Sequence, residues 1–416
     1  MREKIKIVII GNGFGGIYTL KNLHKYFCGN KNIEITLVGE RNYFLFTPLL
    51  HEVATGSINQ ENIVESIRKI LGCCLSKFYL GKAKKINTEN KTVEVGQHIL
   101  PYDYLVLAVG AETNFYSIKG AQENSLTLKS LQDAMKIKNQ VIEKIECASH
   151  ITDKTERKKM LTFTIVGGGP TGVELAVELQ ELIKENFTHY YKEELISEAS
   201  VVLIQKDKNL LPQFGEKIQR KSLEILIKKG VQIMLNTEVM EVSPQKVLLK
   251  NGKEIATETV IWVAGIKPKE IDFEKEVQKT NNTRLVVNEY LQLENYNNIF
   301  ALGDATAVRI KNTENFLPAL AQVAEKEAKI VAQNLFLLTK NKKIKPFHYK
   351  HSGDLISLGQ WMAIGEISNF TFSGHLAWWL WRTVYLSKLI SFRKKIRVAM
   401  DWTINLFYPR DISEIH

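Results

Sequence analysis

The stretch Ile5-Lys6-Ile7-Val8-Ile9-Ile10-Gly11-Asn12-Gly13-Phe14-Gly15-Gly16 decides the fold. Its first six residues, all but Lys6 branched and apolar, have the composition of a strand buried in a parallel sheet. A helix pattern follows through Ile17, Leu20 and Leu23, then a second strand from Ile33 to Val38, ending at Gly39-Glu40. Strand, Gly-x-Gly-x-x-Gly, helix, strand and an acid 24 residues past the third glycine together describe a dinucleotide-binding unit. Gly11 permits the tight turn, Gly13 lets a pyrophosphate approach the backbone, and Gly16 lets helix and strand pack closely. The phosphates belong at the helix N-terminus, where free N–H groups and the helix dipole favour negative charge. Phe14 and Gly15 complete the loop.

The same grammar recurs 156 residues later. Phe163 to Val166 leads into Gly167-Gly168-Gly169-Pro170-Thr171-Gly172, a long helix begins around Val173-Glu174, and a strand runs from Val201 to Ile204. Two such units in one chain point to a flavin held by one and a nicotinamide held by the other. The second unit's strand ends in Gln205, where an NAD site usually carries an acid. A neutral amide can donate to a 2′-phosphate or bond both ribose hydroxyls, so NADH and NADPH both stay open as substrates. Three more apolar runs, Tyr104 to Ala111, Thr259 to Gly265 and Asn298 to Ala305, end in small residues that let the chain pass close to a cofactor. Ala108, Gly110, Ala264, Gly265, Gly303, Asp304 and Ala305 are the candidates there.

The expected fold is therefore α/β, with two Rossmann-like domains and a C-terminal helical region that associates with a membrane. The expected segments are 1–115 and 271–340 for the flavin, 116–270 for the nicotinamide nucleotide, and 341–416 for the tail. Composition narrows the function further. Lys and Arg number 56 against 45 Asp and Glu, a net charge of +11 that permits an anionic partner. Nothing in the chain makes a nucleic-acid recognition module. The four cysteines are Cys28, Cys73, Cys74 and Cys147, with no C-x-x-C pair and none after Cys147. That argues against a disulfide scaffold, and no metal site is expected. The Ile5–Ile10 run is too short for a signal segment, and no apolar run reaches the length of a membrane-spanning helix.

The tail is different in kind. Residues 374–416 hold Trp378, Trp379, Trp381 and Trp402, with Tyr385, Phe392, Phe407 and Tyr408. Its basic residues are Arg382, Lys388, Arg393, Lys394, Lys395, Arg397 and Arg410, against Asp401, Asp411 and Glu414. Between Leu376 and Ile390 a helix would be apolar nearly all round. Aromatic and basic side chains suit an anionic lipid surface. A dimer interface or a covered core are the alternatives for that apolar surface.

Four segments resemble the type II (alternative) NADH:quinone oxidoreductases of the two-dinucleotide flavoprotein superfamily. They are Phe44 to Gly56, Gly167 to Ala176, Ala321-Gln322-Val323-Ala324 after Gly303-Asp304, and the tail from Trp379 to Arg382 and Asn405 to Asp411. The resemblance implies one non-covalent FAD on Gly11, Gly13 and Gly16, its ribose at Glu40, with Thr47 and Pro48 near the isoalloxazine and Asp304 on the ribityl–phosphate stretch. It implies NADH or NADPH on Gly167, Gly169 and Gly172, with Pro170 and Thr171 in the same loop, and Glu174 near the stacked rings. Gln322 would stand where flavin meets quinone, in the first turn of a helix expected from Ala319 to Leu335 behind Pro318. Such a helix would aim its positive end at a reduced flavin. Beside an apolar stack Glu174 should have a raised pKa, which suits proton delivery; the alternative is an acid at a helix start. Two departures stand out: Glu40 is displaced by one residue, and Lys326 replaces a frequent Gln, where a cation would either stabilise a quinol anion or point to solvent. The implied partners are a membrane quinone (ubiquinone or menaquinone), an anionic lipid surface, and room for a homodimer, at the cytoplasmic face of the cell membrane. A sulfide:quinone oxidoreductase would need redox cysteines this chain lacks, and a nucleotide-binding redox sensor is the other alternative.

Overall fold

The computed structural model describes residues 4–71, 76–310, 313, 315–367 and 370–414. Cys73 and Cys74 lie outside them. The chain packs as two units, Met1–Leu45 with Val64–Glu112 and Lys267–Lys350, and Phe46–Ile63 with Thr113–Ile266 and His351–His416. This division differs from the expected segments. Residues 46–63 and the tail from His351 onward group with the second nucleotide unit, while residues 341–350 stay with the first.

Five parallel strands form the main sheet of the first unit, in the spatial order Ile299–Ala301, Tyr104–Leu107, Ile5–Ile10, Ile33–Gly39, Ser76–Leu80. Ile7, Ile9, Leu37, Leu105 and Phe300 are fully buried within it, as expected of parallel strands covered on both faces. The Phe14–Phe27 helix packs against the Ala321–Leu338 helix. That second helix is capped by Leu320, so Pro318 lies outside it rather than near its first residue. Gln322 still falls in the first turn.

In the second unit a four-stranded parallel sheet runs Gln232–Met234, Ser200–Ile204, Thr162–Val166, Thr259–Trp262. The helix Pro170–Glu181 starts with Pro170 directly after its cap Gly169, a position that suits proline because its missing N–H would be unpaired anyway. It passes into a π-helical turn, Leu182–Asn186. The tail adds an antiparallel sheet of Asp354–Ser357, Ala363–Ile367 and Phe370–Ser373, then two helices, His375–Lys388 and Phe392–Ile404.

Those helices correct the tail as read from composition. Trp378, Trp381 and Trp402 are buried inside the unit, and only Trp379, 51% exposed, faces solvent. The outward apolar residues are instead Leu376, Trp379 and Leu380 on the first helix. On the second they are Phe392, Ile396, Met400 and Ile404, a stripe at four-residue spacing, continued by Phe407 and Tyr408. Arg382 and Arg410 also turn inward. The Arg382 guanidinium lies 3.5 Å from the Trp378 ring centre, and Arg410 is buried.

The contrast within one helix is measurable. Trp381→Ala should destabilise the protein by about 3–5 kcal/mol, whereas Trp379→Ala should change stability by less than about 0.5 kcal/mol, as read from urea unfolding.

Candidate functional site

Parallel strands deliver their following loops to one edge of a sheet. In the first unit the strand ends are followed by Gly11, Glu40, Ala108 and Gly303, so the predicted residues assemble at that edge. A Cβ on Gly16 would stand 1.8 Å from the Gly11 carbonyl oxygen, while a Cβ on Gly13 would meet nothing within 4 Å. The loop is thus tight behind and open at the helix N-terminus, the shape a pyrophosphate needs. Glu40 immediately follows its strand, and Lys269 donates to both its carboxylate oxygens at 3.1 Å. Gly110 has positive φ, and Phe14 packs edge-on to Phe44. Gly15 is buried behind the loop against Leu302 and Ala108.

Two residues missed by sequence reading support this edge. The Gly303 N–H donates to the buried carboxylate of Glu327 at 2.7 Å, and burial pushes that carboxyl up to about 7. Arg284 joins Gly303, Thr306 and Glu327 around a small pocket there. Asp304 sits in the Gly303–Ala305 turn, half-buried, with Ala305 buried behind it. Lys326 is committed within its own unit: its ammonium donates to the Lys350 carbonyl and lies 4.8 Å from the Tyr349 ring centre. Gln322 is half-buried.

The second unit repeats the design. A Cβ on Gly172 would meet the Gly167 carbonyl oxygen at 1.9 Å, and Gly169 is open within 4 Å. Thr171 lies in the first helical turn, exposed. Ala264 and Gly265 follow the Thr259–Trp262 strand, with Ala264 against Gly167. Gln205 is not presented to a ligand: it is buried, its Oε1 accepts from the Gly168 N–H at 2.8 Å, and its Nε2 donates to Asp207 Oδ2 at 2.8 Å. The acid absent from the strand end therefore stands two residues later, at the exposed Asp207. Thr47 and Pro48 form a single 3₁₀ turn, Thr47–Leu49, leading into the short helix Leu50–Ala54.

Glu174 lies in the second turn of its helix, so it is not a helix-start acid. It is buried, accepts the Ser357 N–H at 3.2 Å, and faces His51 Nδ1 at 3.8 Å. Burial pushes its carboxyl up to about 8. Glu178 and Glu181 follow at four and seven residues, on the same face. The Arg410 guanidinium lies 2.8 Å from Glu178 and 3.5 Å from Glu181. Burial is the largest single influence on Glu178 and works against its charge, but Arg410, His51, the Ser57 hydrogen bond and Lys229 together outweigh it and hold the carboxyl below its ordinary range. Glu52 accepts the Trp402 indole N–H, and burial raises its pKa. Burial also lowers His51 to about 4, so its ring is neutral at pH 7. Cys28 and Cys147 are exposed free thiols. No group of metal ligands occurs among the described residues.

Residues 5–328 match the pyridine nucleotide-disulphide oxidoreductase family model, and residues 351–411 match the NDH2 C-terminal domain. A Saccharomyces cerevisiae protein named external NADH-ubiquinone oxidoreductase 2 is 32% identical over 99% of this chain and 82% of its own. The chain belongs to the type II NADH:quinone oxidoreductase family. A Dictyostelium discoideum relative named "Probable NADH dehydrogenase" is 34% identical over 99% of this chain and 91% of its own. NDH2 from Plasmodium falciparum in complex with NADH shares the fold with a TM-score of 0.90, at 24% identity, over 99% of this chain and all of that one. The sulfide:quinone oxidoreductase of Aquifex aeolicus also shares it, with a TM-score of 0.74 at 21% identity, over 99% and 96%.

The family resemblance found Glu174 but not its neighbours Glu52, Glu178, Glu181 and Arg410. A signal existed: three acids at i, i+4 and i+7 inside an otherwise apolar helix face. A carboxyl whose pKa is raised on folding binds its proton more tightly in the native state, so stability falls as pH rises between its ordinary value of 4.5 and about 8. Glu174→Gln removes that dependence. Comparing urea unfolding near pH 5.5 and pH 8.5, wild type should lose on the order of a few kcal/mol more than the variant.

Proposed function

We propose that the chain holds FAD at the Gly11–Gly16 loop and binds NADH at Gly167–Gly172. On this reading it passes two electrons to a membrane quinone without pumping protons. Bound FAD supplies hydride acceptance and electron transfer. The chain's own residues bind, orient and protonate. The observation that carries the reading is Glu174, a buried carboxyl that keeps its proton at neutral pH, one turn behind the nucleotide loop. Reducing a quinone to a quinol consumes protons, and a group poised near the working pH is the efficient donor. Gln322, in the first turn of its helix, is assigned to the flavin edge that meets quinone. Lys326 has its charge occupied at Lys350 and Tyr349, which favours a supporting role over direct contact with the quinone.

In a stopped-flow experiment NADH should bleach the flavin and a quinone should restore it. Faster bleaching by sulfide than by NADH would sink the assignment. Asp207 supports a preference for NADH, because a carboxylate beside a 2′-phosphate is a like-charge contact. Asp207→Asn should shift the NADPH-to-NADH ratio of kcat/KM toward NADPH by roughly tenfold, about 1.4 kcal/mol. An unchanged ratio would remove Asp207 from the nucleotide site.

The exposed stripe of the two tail helices is assigned to lipid, on the membrane face that meets the NADH pool. No helix among the described residues is long and apolar enough to cross a membrane, so this contact is peripheral. Leu376 is 85% exposed, Phe392 76% and Phe407 77%, and each contributes ~1.5–3 kcal/mol when fully buried. Arg393, also exposed, adds attraction to an anionic surface that salt screens. Replacing Leu376, Trp379, Phe392 and Phe407 by Ser should release the protein from anionic vesicles in a flotation assay, even at low salt. Trp378→Ser and Trp381→Ser should instead unfold it.

A further inference from the structure

In the first unit, Glu327 reaches from the second turn of the Ala321–Leu338 helix to the turn that follows the Ile299–Ala301 strand. It is 1% exposed, and its carboxylate accepts the Gly303 N–H at 2.7 Å. The Thr306 hydroxyl donates to the Gly303 carbonyl at 2.8 Å, so Gly303 is held at both of its backbone polar groups. Gly303 has a φ of +77°, and an added Cβ would stand 3.6 Å from the Ala324 methyl, so the turn rests directly on the helix. The same turn borders the first glycine loop: a Cβ on Gly15 would stand 3.1 Å from the Leu302 side chain. Arg284 faces both Asp304 and Glu327. Val308, Val323 and the run from Leu317 to Leu320 make the remaining wall of the small pocket apolar.

We infer that Glu327 is a positioning residue for FAD, which fixes the Gly303–Asp304 turn and takes up one proton when the cofactor's anionic groups settle at that edge, so that FAD retention depends on pH. The inference rests on the proposed placement of FAD at the Gly11–Gly16 loop. The charges on the page supply the reason. Two carboxyls, Asp304 and Glu327, share one guanidinium, Arg284, in a largely apolar setting. A pyrophosphate at the adjoining loop brings further negative charge, and the buried carboxyl is the group that can be neutralised in response. Burial pushes the Glu327 carboxyl up to about 7; the Gly303 N–H draws it back, Asp304 adds to the rise and Arg284 opposes it. The Phe14–Phe27 helix, packed on the same helix, brings Tyr18 to face Glu325. Added anions raise the Glu327 value further, so the FAD-bound form holds the proton more tightly than the free form. FAD affinity is then full below about 7 and falls as pH rises through the higher value of the bound form.

The test reads FAD binding rather than turnover. Holoenzyme is diluted into buffers between about pH 6.5 and pH 8.5, and released FAD is measured by the fluorescence of the free flavin. The wild-type Kd should rise roughly fivefold across that range. Glu327→Gln keeps an acceptor for the Gly303 N–H but cannot titrate, so its Kd should stay level with pH. Arg284→Gln removes the cation that favours the Glu327 charge, and the rise in Kd should move to higher pH; this variant also decides the matter should Glu327→Gln fail to fold. A level wild-type profile, or a Glu327→Gln profile with the wild-type slope, overturns the inference. So does an Arg284→Gln profile that is weaker at every pH but unmoved along the pH axis, which marks a purely structural turn. Wild-type protein that carries no FAD and takes none up would instead overturn the placement of FAD at the Gly11–Gly16 loop.

Discussion

An added Cβ on Gly16 would stand 1.8 Å from the Gly11 carbonyl, and one on Gly172 would stand 1.9 Å from that of Gly167. These two contacts fix how closely each helix approaches the strand before it. With a larger residue the helix would back away, and its N-terminal N–H groups would no longer converge on one point at the sheet edge. The rest of each unit follows from that approach. Phe14–Phe27 and Pro170–Glu181 cover their sheets at short range, and the strand ends gather around the loops.

The second unit carries a further constraint, because its tight helix is also where charge is buried. Glu174, Glu178 and Glu181 are each more than nine-tenths buried, and Arg410 is as well. Removing one partner from such a group leaves the others desolvated and unpaired, which costs more than the intact pair contributes. The Leu50–Ala54 helix, Ser357, Gln360 and Arg410 are therefore bound into one electrostatic unit, together with the Trp402 indole on Glu52.

Much of the fold was legible because it is local. Both glycine loops, the buried parallel strands and Glu174 each declare themselves within about a dozen residues. What was hidden is non-local. Residues 51–57, 174–181, 357–360 and 410 meet only in the folded unit, and no sequence window contains them. Composition also misled in the tail. Tryptophans and arginines were assigned outward as a class, yet Trp378, Trp381, Trp402, Arg382 and Arg410 turn inward, and a four-residue stripe from Phe392 carries the exposed apolar surface. Gln205 ends a strand as a ligand-contacting residue would, but it is buried and its amide is held between Gly168 and Asp207.

Arg410 lies 229 residues after Glu181 in the chain. During synthesis the carboxylates on the Pro170–Glu181 helix are therefore made long before their counter-ion exists. Until the tail arrives, Glu178 has no guanidinium beside it, and burying that face of the helix leaves its charge unpaired. A chain broken off short of Arg410 lacks that partner for Glu178 and Glu181. The same ion pairs that balance the interior thus tie the stability of the whole nucleotide unit to a residue near the end of the tail.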